Sequence, residues 1–148
     1  MIELGYKTWR YLGLSVALGY AGLGGFAVAT PKSAAKYFFG WDPKTLPLPE
    51  ADVGEDARKS ADPPSEEVIK AILPLVGARD LSIFAALMIF FHARQHSEMG
   101  VVILSGMVLC AADVVAIWKW KGPLLAGQIL AGALSWGIIG YNLYFEDF

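Results

Sequence analysis

The sequence predicts an all-α integral membrane protein, a four-helix bundle with one long loop between its first and second helices. Three observations predict it. Hydrophobic residues make up 55% of the 148 positions and charged residues 18%, against about a quarter charged in an ordinary soluble domain. Mean hydropathy is +0.46. The charges are also unevenly spread: 14 of the 26 lie between Lys32 and Lys70, leaving 12 for the other 109 residues. What flanks them is apolar runs of membrane-spanning length. The same arithmetic excludes disordered, coiled-coil, collagen and disulfide-scaffold classes. Cys110 is the only cysteine, so no intramolecular disulfide can form. A net charge of −2 gives no general attraction to nucleic acid.

Four segments meet the requirement of about 20 apolar residues. They run from Tyr11 to Thr30, Ala71 to Phe91, Met99 to Trp118, and Pro123 to Tyr144, within a single domain over residues 1–148. None alternates polar with apolar positions, so helices are the only way to satisfy the backbone in lipid. Tyr6, Trp9 and Tyr11 precede the first span, Tyr37 and Trp41 follow it, Trp118 and Trp120 close the third, and Tyr141 and Tyr144 the fourth. Aromatics of this kind prefer the headgroup level. Lys7, Arg10 and Ala27-Val28-Ala29 imitate a signal peptide, but the apolar stretch is long for a signal core and reads as a retained span.

Four crossings place both termini on one side. The opposite side carries the hydrophilic loop, residues 31–64, and the turn Lys119 to Gly122. Its excess of Lys and Arg puts that side in the cytosol by the positive-inside rule. The expected location is an internal membrane such as the endoplasmic reticulum. The loop holds six of the eight prolines, which oppose regular structure. Its aromatic first third is expected on the membrane surface and its acidic remainder, Glu50 to Asp62, in water. Ser65 is expected to cap the second helix, and Pro74 to kink or loosen its first turns.

Ionisable residues inside a span are costly and mark a structural pair or a site. Measured from the loop side at 1.5 Å per residue, Arg79 lies about 12 Å deep and Asp113 and Gln128 about 8 Å. Asp80 is one residue deeper than Arg79. Four polar side chains on three helices thus share one slice of the bilayer. Arg79 and Asp80 are neighbours and diverge by about 100°, so one of them needs a partner on another helix. Arg79 with Asp113 is the simplest pairing; Asp80 with a partner elsewhere and Asp113 free is the reverse. Two readings stay open. In one, Arg79, Asp80 and Asp113 form a satisfied network that fixes helix register. In the other they line a lipophilic pocket, with Asp80 and Asp113 as acid and base and Arg79 stabilising negative charge. Gln128, Trp136 and Cys110 are the candidate substrate contacts, with packing as the plainer use of Trp136 and Cys110.

Ala17, Ala21, Gly25 and Ala29 on the first span, and Gly132, Trp136 and Gly140 on the fourth, read as packing stripes. A homo-oligomer face is their other use. His92 and His96 have helical i, i+4 spacing, but the expectation is an interfacial pair and no metal site. The chain has no glycine-rich phosphate loop, nucleophile elbow or zinc signature, so no cofactor is expected.

Gly77-Ala78-Arg79-Asp80-Leu81, an apolar span, and then Ala112-Asp113 resemble a family of small four-span membrane proteins, the domain-of-unknown-function family 4267. The likeness covers Val76 to Val115 well and the remainder in layout. It implies a compact helical bundle, with the family's Gly-x-Arg-Asp and later Asp at Gly77, Arg79, Asp80 and Asp113. Members are common in fungi and often encoded beside natural-product biosynthesis genes, which implies a lipophilic metabolite as partner, alongside membrane lipid. The expected function is therefore a membrane-embedded isomerase or cyclase acting without a cofactor. The alternatives are a non-catalytic subunit or binding protein and, behind these, a small transporter.

Overall fold

A computed structural model describes residues 6–39 and 66–145. The expected cap at Ser65 and the acidic segment Glu50 to Asp62 lie outside these residues. The described chain forms five helices: α1 (Tyr6–Ala29), α2 (Pro31–Phe39), α3 (Glu66–Ala93), α4 (His96–Lys121) and α5 (Pro123–Phe145). Four contain segments long and apolar enough to cross a membrane: Thr8–Ala29, Lys70–Ala93, His96–Lys119 and Pro123–Phe145. Each agrees with an expected span to within three residues. A 22-residue helix rises about 33 Å, enough for a hydrocarbon core of about 30 Å. Leu18, Leu75, Ile89, Val108, Leu124 and Ile138 are all exposed. Apolar outer faces of this extent suit a chain whose solvent is lipid. This is an integral membrane protein.

The expectation that residues 31–64 form one loop fails at its beginning. Residues 31–39 are the short amphipathic helix α2. Pro31 occupies the first helical position, where its missing N–H is an orphan anyway. It ends the ladder of α1, whose last bond runs from the Thr30 N–H to the Phe26 carbonyl at 3.0 Å. Ala34 then donates to the Thr30 carbonyl at 3.0 Å and opens the new helix. Ala34 and Ala35 are buried, while Lys32, Lys36 and Tyr37 face outward. α3 continues through Pro74.

The turns between α3, α4 and α5 are tight. α3 ends in a Schellman motif: Gln95 donates to the Phe90 carbonyl at 3.0 Å, Arg94 to that of Phe91 at 3.3 Å, and Arg94 takes φ 60°. This break separates His92, on α3, from His96, which opens α4. The i, i+4 spacing therefore does not operate, and the expected solvated pair is replaced by an exposed His92 and a buried His96. α4 and α5 are joined by Gly122 alone, at φ 89°, with Pro123 again at a first helical position.

The helices associate as two close pairs, α1 with α3 and α4 with α5. Glycines decide where. A Cβ on Gly24 would lie 2.7 Å from the Gly77 carbonyl oxygen, and one on Gly77 2.7 Å from that of Gly24. A Cβ on Gly100 would lie 2.6 Å from the Gly140 oxygen. Close backbone approach of this kind replaces the hydrophobic drive that lipid abolishes between helices. The stripe expected on α1 is used only in part: Ala17 is buried, whereas Ala29 is exposed and a Cβ on Gly25 would meet nothing within 4 Å. The two pairs meet in one core built from Trp9, Val16, Ala17, Tyr20, Leu87, Met99, Ile103 and Leu143. Near it Arg10 lies over the Phe91 ring, 4.4 Å from its centroid.

Gly24→Leu should lower thermal stability in detergent by about 1–3 kcal/mol, because the α1–α3 backbones must part. Gly25→Leu, one position along, should leave the unfolding midpoint unchanged.

Candidate functional site

Beyond that core the two helix pairs separate and enclose a cavity of about 290 Å³. All four spanning helices line it, together with Phe38 of α2. Phe38 packs both against Ala27, Ala34, Ala35 and Leu73 and against Val114, Ile117 and Ala126. α2 thus bridges the two pairs at the end of the cavity farthest from the core. The opposite end is an aromatic floor: the rings of Tyr20 and Trp136 lie 5.0 Å apart at 45°. Glycines again make room. A Cβ on Gly19 would lie 2.5 Å from the Trp136 indole, and one on Gly106 2.6 Å from the Tyr20 hydroxyl.

Polar groups gather on one wall. Arg79 Nε donates to Asp80 Oδ1 at 2.9 Å, while its Nη2 reaches Asp113 Oδ2 at 3.0 Å and its Nη1 reaches Asp113 Oδ1 at 3.5 Å. One guanidinium therefore serves both carboxylates and ties α3 to α4 through its terminal fork. The three side chains differ in access: relative exposure is 9% for Asp80, 30% for Arg79 and 43% for Asp113. Asp80 lies on the inner stripe of α3 with Leu73, Gly77 and Leu87, at i, i+3 and i+4 spacing. Asp113 is the more accessible of the two carboxylates that line the cavity.

The depth count brings together Arg79, Asp80 and Asp113, and the simplest pairing, Arg79 with Asp113, is the one formed. The expectation that Arg79 and Asp80 do not meet is corrected. Adjacent Cα–Cβ bonds diverge, but Nε lies far enough along the arginine stem to fold back onto the neighbouring carboxylate. Cys110 and Trp136 both line the cavity. Gln128 is exposed, and α5 lines the cavity with Ile129, Gly132, Ala133 and Trp136 instead. Depth fixes height only; Gln128 is about 100° around the helix from Ile129.

Tyr20 is the site residue that the sequence reading does not single out. It is 5% exposed, and its hydroxyl lies 3.9 Å from Cys110 Sγ. A phenol in the middle of a charge-free span was the available signal, since its O–H needs a polar neighbour. The arrangement offers two carboxylates, a guanidinium, a phenol and a thiol along one apolar chamber, all capable of moving or holding protons. Gly106→Val should drive Tyr20 off the floor, shifting tryptophan emission through Trp136 and costing about 1–3 kcal/mol of stability. Gly127→Val, where a Cβ meets nothing within 4 Å, should do neither.

None of the curated proteins and none of the solved structures matches this chain. One family model does, over residues 17–143, a stretch that includes every side chain of the Arg79 cluster and both floor aromatics. The chain belongs to the domain-of-unknown-function family DUF4267.

Proposed function

We propose that the protein is a small membrane-embedded enzyme that converts a lipophilic metabolite by proton transfer, as an isomerase or cyclase. The observation that carries this reading is a partly exposed carboxylate, Asp113, in a mostly apolar cavity of about 290 Å³. Pockets that bind small molecules are largely apolar with a few converging polar groups. In the proposed reaction Asp113 exchanges a proton with the substrate. Arg79 holds the carboxylate in place and stabilises negative charge that develops beside it. Asp80, the more buried partner, is a positioning residue that orients Arg79 through the Nε bond. Tyr20 and Trp136 pack against the substrate's apolar body, and α2 keeps water from the chamber. Such chemistry requires neither a nucleotide nor a metal ion. A natural-product pathway is the proposed setting.

One observation favours a second reading, a non-catalytic binding protein or subunit: both carboxylates are already bonded to Arg79. A network satisfied in this way can specify helix register without doing chemistry.

Metabolite profiles of the native host separate the two. A strain lacking the protein should lose one lipophilic product, and wild-type protein should restore it. Asp113→Asn should restore about 100-fold less, the scale of a lost general acid or base, while folding to the same yield. Full restoration by Asp113→Asn excludes the acid–base role and leaves the binding protein.

A further inference from the structure

The cavity has more negative than positive charge available to it. Two carboxylates share one guanidinium, and among the described residues that line the cavity Arg79 is the only base. An uncompensated charge beside apolar walls is costly, so the site is stabilised by any group that brings a positive charge to Asp113. At the other end Tyr20 and Trp136 line the chamber with aromatic surface that suits the apolar body of a ligand. Leu23 and Gly132 line the chamber and are both exposed, and a Cβ on Gly132 would meet nothing within 4 Å. A ligand dissolved in the bilayer would enter between these two residues.

We infer that the ligand of this cavity is a lipophilic amine, bound as its ammonium ion. The nitrogen donates to Asp113 and the chain or ring system fills the space above Tyr20 and Trp136. A lipophilic carboxylate would place a third negative charge beside two, with one guanidinium already engaged. This inference rests on the pocket proposed above and adds the charge of what enters it.

Decylamine, decanol and decanoic acid, matched in chain length, test it in binding measurements on the protein in phosphatidylcholine nanodiscs at neutral pH, with empty nanodiscs subtracted. Decylamine should bind at least about 10-fold more tightly than decanol, equivalent to about 1.4 kcal/mol, and decanoic acid most weakly. In Asp113→Asn the preference for the amine over decanol should fall to within about 3-fold. Decanol or decanoic acid binding as well as the amine overturns the inference and leaves the pocket intact. Saturable binding of none of the three overturns both.

Discussion

A single guanidinium ties the two halves of this bundle together beside the cavity, reaching from α3 to Asp113 on α4. In lipid, helices gain nothing from burying apolar surface against each other, so their arrangement rests on close steric fit and on polar ties. Within each pair the fit is provided by glycine: Gly24 against Gly77, and Gly100 against Gly140. Between the pairs the core around Leu87 and Ile103 supplies fit at one end only. At the other end Arg79 reaches from α3 to Asp113 on α4, with α2 lying across both pairs. The cavity exists because the pairs are tied there without being packed together.

This explains why polar residues persist at a depth where each costs free energy. Asp80 fixes the direction of Arg79, Arg79 fixes Asp113, and Asp113 is left half-exposed to the chamber. The series runs from buried to accessible, as expected where one group is held by others. The aromatic floor has a similar logic. Tyr20 and Trp136 are large side chains placed opposite Gly106 and Gly19, so each fills the space a neighbouring helix leaves.

Much of this was legible from the sequence because it depends on length and depth. Spans follow from apolar runs, and the Arg79–Asp113 pair follows from a common height in the bilayer. What the sequence hid depends on rotation about helix axes and on approach between helices. Gln128 has the right height and the wrong azimuth. Neither Gly24 nor Gly77 has a small residue four positions away, and their relation is visible only when the backbones are adjacent. Tyr20 is hidden in the sequence because aromatics counted along a chain signal span boundaries, not floors of cavities. α2 escapes a reading of proline as a helix breaker because Pro31 stands at a first helical position and the next proline is Pro43.

The tie between Arg79 and Asp113 is measured directly by a double-mutant cycle. Arg79→Met, Asp113→Leu and the double variant would be compared with wild type by reversible unfolding in one detergent. A coupling energy of at least about 1 kcal/mol is expected, with the double variant more stable than the sum of the single losses allows, because Asp113 is then not left unpaired, while Asp80 loses Arg79 in the Arg79→Met and double variants alike. Losses that simply add would mean that no energetic tie joins α3 to α4 through these two side chains.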